Sequence, residues 1–484
     1  MVINDNVEVA AALPEHVGLH LGQDDTKLAQ ARAQLGASRL IGMSVHTPEE
    51  AAATLETDAD YAGVGPCWAT QSKAGVTEDD ALMLSGSRAV VEKLKSGSKR
   101  LPCVLIGSLN MHTAARTLAG ATSAGNGPDG VAVISAIVAR RDPDRAARDL
   151  RCIVDAYKQR AIAQPQAVGS LPTTAQDYVK SARGLLQRHL VRYDPESRTD
   201  VEGDVDAAPP LVQTITSHVS AYFSANVALA FSASPIMSQE AAEAEALSQA
   251  TKALVLNIGS LSHEARHGMA VAGPAANRLG TPVVLDPVGG GATPFRAHTC
   301  QALLNETCIT LIKGNAAEIG SLAGSDEVRS RGVDSQGTVK DAPGLVRRVA
   351  RQEGAFVLMT GEHDYLTDGE VVLECSCGSA LLGRITATGC SLGVVIGAGL
   401  ATARRVFNVE MGDAVQQRIT PPRFHKPLLL GALAGLLTYT IAAERAAQLP
   451  NVRGPGTFMA ALLDELAAFD VGCLSSYTDR VRVL

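Results

Sequence analysis

Short apolar runs that end in a polar or glycine-rich tip, then pass into alanine-rich stretches of helical spacing, recur along most of this chain. A two-residue period giving way to a 3.6-residue period marks β/α units, whose strands pair in parallel because each helix carries the chain back across the sheet. No solenoid repeat accompanies the alternation. The pattern also predicts where chemistry gathers, namely at the carboxyl ends of the strands.

In residues 1–157 the candidate strands are Val2-Ile3, Val17 to Leu19, Leu40 to Met43, Tyr61 to Val64, Cys103 to Ile106 and Val131 to Ile134. Asn4-Asp5, His20 with Gln23 to Asp25, Ser44 to His46, Gly65 to Lys73 and Gly107-Ser108 follow their ends. A closed (β/α)₈ barrel needs eight strands and roughly 250 residues. Six units therefore leave two readings: an open doubly wound sheet, or a barrel without its first two units. Residues 158–173, with Gln164, Pro165, Gly169, Ser170 and Pro172, have linker composition, and a second domain is expected over 174–484. It opens with a helix from Ala175 to Val191 and carries surface excursions at Tyr193 to Pro210 and Arg404 to His425.

At 484 residues two or three domains are expected. A net charge of −7 without a basic stripe, and 4% aromatic residues, argue against nucleic-acid binding and point to small-molecule substrates. The N-terminus shows no signal or transit pattern, and the apolar run Pro427 to Ala443 reads as a buried helix rather than a membrane span. The nine cysteines lack the density of a disulfide framework, so a cytoplasmic setting is expected. Cys375-x-Cys377 reads as two strand residues, with no zinc.

Three motifs in the second half converge on phosphoryl transfer. A strand Pro282 to Leu285 ends in Asp286 and a glycine loop, placing a carboxylate where it can hold magnesium. The strand Ile309 to Ile312 runs into Lys313-Gly314-Asn315-Ala316-Ala317-Glu318, where Lys313 can reach phosphate oxygens and Glu318 can add a metal contact through water. Ile385 to Cys390 leads into a small-residue helix from Ser391 to Ala403, whose amino end can form an anion hole beside Cys390.

With their flanks, Gln213 to Met237, Leu256 to Ser260, Thr360-Gly361-Glu362 and Arg453 to Thr457, these motifs closely resemble the hydroxyethylthiazole kinases of the ribokinase-like superfamily. The resemblance implies ATP-dependent phosphorylation of 4-methyl-5-(2-hydroxyethyl)thiazole. Met237, Asn257 and Gly389 would line the thiazole pocket, Asp286 and Glu318 would organise Mg2+, and Lys313 and Thr360 would contact ATP. Cys390 stands where related sugar kinases carry an aspartate base. A homo-oligomer built on a kinase trimer is implied. Ala387 replaces a glycine usual in the family, and Lys313 replaces an arginine.

The first 157 residues resemble thiamine-phosphate synthase, a (β/α)₈ enzyme joining hydroxymethylpyrimidine diphosphate to thiazole phosphate. On that resemblance Asn4, Ser44 and Lys73 would hold the pyrophosphate, Asp5 and Asp25 the metal, and His20 the pyrimidine, while Thr70, Gly107 and Ile134 would contact thiazole phosphate. Two family strands, one bearing Gln, Arg and Lys, have no counterpart before Ile3-Asn4-Asp5, and Ala132 and Ser108 replace a usual serine and glycine. The expected fold is α/β: a TIM-type barrel lacking its first two strands, then a ribokinase-like domain. This order resembles the fungal bifunctional thiamine-biosynthesis enzymes. The competing readings are an active kinase with a non-catalytic N-terminal module, and a ribokinase-like enzyme for another small alcohol.

Overall fold

The computed structural model describes residues 2–68, 81–96, 98–111, 113–122, 126–162, 172–190, 209–324, 329–331, 334–336, 339–407, 409 and 426–484. They form two compact units, Met1–Pro165 and Gln166–Leu484. Most of the expected linker and most of both expected surface excursions lie outside the described residues; the linker's first residues instead continue the helix Pro143–Ile162, and Arg404 and Arg405 belong to the last turn of the helix Thr388–Val406.

The first unit carries six strands: β1 (Val2–Asn4), β2 (Gly18–Leu21), β3 (Ile41–Val45), β4 (Tyr61–Val64), β5 (Cys103–Leu105) and β6 (Gly130–Val131). They pair in parallel and in chain order. The order never reverses, which removes the doubly wound reading. Register sets Asn4 beside His20, His20 beside Gly42 and Gly42 beside Tyr61, so one row runs from the carboxyl ends of β1 and β2 to the amino ends of β3 and β4. The expected strand Val131 to Ile134 stops at Val131. Ile134 instead precedes the short helix Ser135–Val138 and is exposed.

The second unit is built on β7 (Leu211–Ile215), β8 (Ser234–Ile236), β9 (Ala253–Asn257), β10 (Val283–Asp286), β11 (Leu311–Asn315), a separate hairpin β12 (Arg329–Arg331) and β13 (Asp334–Gln336), then β14 (Phe356–Thr360), β15 (Asp364–Thr367), β16 (Val372–Cys375) and β17 (Val481–Val483). The main sheet runs β17-β16-β15-β14-β11-β10-β9-β7-β8, parallel from β14 to β8 and antiparallel on the β17 side. Both faces are covered, because residues of opposite parity are buried alike. Val212, Val255 and Val284 enter one core with the helices Thr388–Val406 and Lys426–Gln448, while Ile215, Leu254 and Leu285 enter a second with His263–Arg278 and Ala342–Glu353.

The helix Lys426–Gln448 is the one described helix long and apolar enough to cross a membrane, and 94% of its apolar window is buried inside the unit. Its small residues have a packing cause. A Cβ on Gly399 would lie 2.2 Å from the Gly431 carbonyl oxygen, and one on Gly431 2.3 Å from that of Gly399. The two central helices thus touch backbone to backbone.

Candidate active sites

In the second unit the parallel register lines up the carboxyl ends of β9 and β10, with Asp286 opposite Asn257. Asp286 is fully buried; its Oδ2 accepts from Asn257 Nδ2 at 2.8 Å and from Lys313 Nζ at 2.9 Å. Lys313 Nζ also donates to the Gly389 carbonyl at 2.9 Å, tying β11 to the first turn of the helix Thr388–Val406. Burial alone would lower the Lys313 ammonium, yet Asp286, Glu318 and Cys390 hold it above the ordinary lysine value. Burial pushes Asp286 upward against the pull of Lys313 and Asn257.

Two sequence expectations shift here. Lys313 lies inside β11 rather than in a loop after it, because pairing with β14 continues to Asn315 opposite Thr360. The small-residue helix begins at Thr388, not Ser391, so Gly389 and Cys390 belong to its first turn. The first helical bond runs from Ser391 N to the Ala387 carbonyl at 2.8 Å. The N–H groups of residues 388–390 therefore precede the helical ladder, a geometry that suits an anion.

Glu318 fills a role that the sequence reading missed. Asn315 and Glu318 form a reciprocal capping box, with Glu318 Oε2 accepting from Asn315 N at 2.8 Å, while Oε1 accepts from Gly289 N at 2.9 Å. The Asn-x-x-Glu spacing was the available signal. Burial, with Asp286 next in weight, pushes this carboxyl up to about 7. Asp286 Oδ1, in contrast, is buried without a hydrogen-bond partner, an acceptor suited to a cation. Magnesium is held by one or two carboxylates and keeps several waters, a requirement that the donor set of Asp286 and Glu318 fits.

Cys390 hydrogen-bonds with Asn257 and Ser220; burial and the Asp286 charge raise its thiol, with Lys313 opposing. Thr360 ends β14 and donates to the Gly314 carbonyl at 3.3 Å. Met237 follows β8, half-buried. Asp364, also missed, is buried at the start of β15, where burial pushes it up to about 7.

Both positions where this chain replaces a usual glycine have positive φ: Ala387 at 70° and Ser108 at 50°. A left-handed residue with a Cβ costs about 1–2 kcal/mol, partly offset by the greater unfolded entropy of glycine. Ala387→Gly is expected to stabilise the second unit by about 0.5–1 kcal/mol. Its calorimetric transition should rise by a few degrees at most; a fall would remove the strain argument.

In the first unit His20 bridges Tyr61 and Ser44, Nδ1 to the Tyr61 hydroxyl and Nε2 to Ser44 Oγ, each at 3.0 Å. The ring has room because two neighbours are glycines. A Cβ on Gly42 would lie 2.2 Å from the Tyr61 ring, and one on Gly63 2.9 Å from His20 Cε1. Burial lowers the imidazole, and Asp25 pulls it back upward. Asp25 Oδ2 accepts from Gly22 N at 2.6 Å, and Gln23 Nε2 donates to the Ser44 carbonyl at 2.6 Å. Asp5 N donates to the His20 carbonyl at 2.9 Å, with Asn4 before it. Gly107, at φ 93°, packs on Pro66, where a Cβ would meet Pro66 Cα at 2.6 Å. Asn4, Asp5, Ser44 and Asp25 thus gather about His20. Ile134 follows β6, and Thr70 and Lys73 lie outside the described residues.

Residues 1–137 match the thiamine monophosphate synthase family, and residues 203–417 match the hydroxyethylthiazole kinase family. Over 473 residues, 96% of this chain and 82% of the relative, the chain is 33% identical to the "Probable thiamine biosynthetic bifunctional enzyme" of Schizosaccharomyces pombe. The chain belongs to the bifunctional thiamine biosynthetic enzymes. Its kinase half is 41% identical to the hydroxyethylthiazole kinase of Rhizobium johnstonii over 55% of this chain and 91% of that one. The hydroxyethylthiazole kinase structure from Pyrococcus horikoshii OT3 is 30% identical, with a TM-score of 0.48, covering 63% of this chain and 98% of that one. This bifunctional thiamine biosynthetic enzyme therefore carries a synthase domain followed by a thiazole kinase domain, in the order the motifs implied.

Proposed function

We propose that the kinase domain transfers the γ-phosphoryl group of ATP to the primary alcohol of 4-methyl-5-(2-hydroxyethyl)thiazole at the Asp286–Lys313–Gly389 cluster, and that the synthase domain condenses the product with hydroxymethylpyrimidine diphosphate. The carrying observation is the double anchorage of Lys313 Nζ between Asp286 Oδ2 and the Gly389 carbonyl. It sets a buried cation beside three N–H groups at a helix start, an arrangement that stabilises charge developing on a transferring phosphoryl group. Mg2+, when bound, would shield charge on the ATP phosphates. Asp286 and Glu318 would hold it, Met237, Asn257 and Gly389 would line the thiazole site, and Thr360 would contact ATP beside Lys313.

With its thiol raised, Cys390 holds its proton at neutral pH. It positions the alcohol, and the anion site supplies most of the rate. In the synthase domain His20, held by Tyr61 and Ser44, faces the pyrimidine. Asn4, Ser44 and Lys73 hold the diphosphate, Asp5 and Asp25 its metal, and Thr70, Gly107 and Ile134 the thiazole phosphate. Chain-order pairing of β1 to β6 supports a barrel-type arrangement. On this reading the synthase domain spans 1–157 and the kinase domain 174–484, joined by the linker 158–173.

Exposed Val219, Tyr222 and Leu229 on the helix His218–Ala230 support a homo-oligomer, whose kinase trimer is what the resemblance implies. The nine free cysteines support a cytoplasmic setting.

A coupled assay tests both halves: the full chain receives ATP, Mg2+, the hydroxyethylthiazole and the pyrimidine diphosphate, and ADP and thiamine phosphate are quantified separately. Both products are expected. ADP alone would reduce the N-terminal unit to a non-catalytic module, and no thiazole-dependent ADP would overturn the kinase assignment.

A further inference from the structure

We propose that Arg296 is a positioning residue of the kinase reaction, a guanidinium staple that holds the loop after β9 and the loop after β10 at the spacing the site requires. Arg296 lies in the first turn of the helix Pro294–Glu306, which Thr293 caps. Its Nη1 donates to the Ile258 carbonyl at 2.7 Å and to the Val288 carbonyl at 2.9 Å, and its Nη2 donates to the Gly259 carbonyl at 2.6 Å. One planar group thus binds three main-chain oxygens from two loops.

Those loops carry the reacting side of the site. Asn257 immediately precedes Ile258 and Gly259, and its Oδ1 accepts from Gly259 N at 2.9 Å while its Nδ2 donates to Asp286. Val288 lies between Asp286 and Gly289, whose N–H donates to Glu318. Ile258 N donates to the Asp286 carbonyl at 3.2 Å, so the loops already touch on the inner side. Arg296 closes the circuit from outside. Without it the two carboxylates keep their partners but lose the fixed separation of the segments bearing them. A lysine cannot substitute, since a single ammonium lacks the rigid fork that reaches both loops at once.

This inference rests on the metal role proposed above for Asp286 and Glu318, and the test separates the two. Arg296→Met and Arg296→Lys are compared with the parent chain and with Asp286→Asn, in the full-length protein. Both Arg296 variants should lower kcat and raise the Mg2+ concentration for half-activity by roughly 10–100-fold, as is typical when a group supporting metal ligands is lost. In the metal-free protein, deuterium exchange at the Gly259 and Gly289 amides should accelerate at least about 10-fold, with residues 311–315 unchanged. A role confined to global stability would instead speed exchange everywhere and leave the Mg2+ dependence alone. Parental kcat, Mg2+ dependence and exchange in Arg296→Lys would overturn the staple even if Asp286→Asn is inactive. An unchanged Mg2+ dependence in Asp286→Asn would overturn the metal reading and the proposal with it.

Discussion

Lys313→Met is expected to destabilise the kinase domain by about 3–5 kcal/mol and to lower thiazole-dependent ADP formation at least about 100-fold. The stability loss follows from burial. Asp286 is fully buried, and the Lys313 ammonium is the charge beside it. Methionine fills similar volume but leaves the carboxylate with Asn257 as its remaining donor. The Gly389 carbonyl loses a bond at the same time. Because the sole tryptophan, Trp68, lies in the synthase unit, its fluorescence does not report kinase unfolding; calorimetry of the full chain does. Asp286→Asn in the Lys313→Met background removes the stranded charge and should recover part of the stability but not the activity. An unchanged kinase transition in Lys313→Met would show that the pair contributes nothing.

Acidification from pH 6.5 to 4 is expected to cost the kinase domain about 3 kcal/mol through His189 alone. This imidazole is buried, with Nε2 donating to the Phe231 carbonyl at 2.7 Å and Nδ1 accepting from Thr402 Oγ1 at 2.8 Å. Burial pushes its pKa down to about 4, with the Arg405 charge acting in the same direction. Between about pH 6.5 and 4 the unfolded chain carries the proton and the folded chain does not. Stability from this residue is therefore complete above pH 6.5 and falls by about 1.4 kcal/mol per unit below it. Glu318 and Asp364 act oppositely, since their folded values near 7 favour the folded state as pH drops toward 4.5. The comparison must be with His189→Gln, which can keep both hydrogen bonds without the titration. A steeper loss in the parent chain is expected; parallel curves would remove His189 as the cause.

Much of the architecture was legible because parallel strands buried on both faces write themselves as apolar runs. Tyr61–Val64 is the strand expected, and β1, β2, β3 and β5 differ by one or two residues at their ends. The exceptions share a cause. At β11 the apolar run ends at Ile312, but β14 pairs through Asn315, and Asp286 neutralises the lysine that the extension buries. At Thr388 helical geometry starts early because Ala387 takes a left-handed conformation that its side chain disfavours and its neighbours impose. After β6 the apolar run continues to Ile134 while pairing ends at Val131.

The order of β/α units, the division into two units and the residue types at the strand ends were determined by the sequence itself, since period, composition and motif spacing are local properties of a chain. Which of those residues touch was decided only by the tertiary structure. Asp286, Lys313 and Gly389 meet across 103 residues of chain, counted from 286 to 389, because strand register and a helix packed across the sheet converge there. The bond from Gly289 N to Glu318, the bridging of two loops by Arg296 and the buried neutrality of His189 have the same origin. Each depends on desolvation and on partners far away in sequence, and neither quantity exists until the chain is folded.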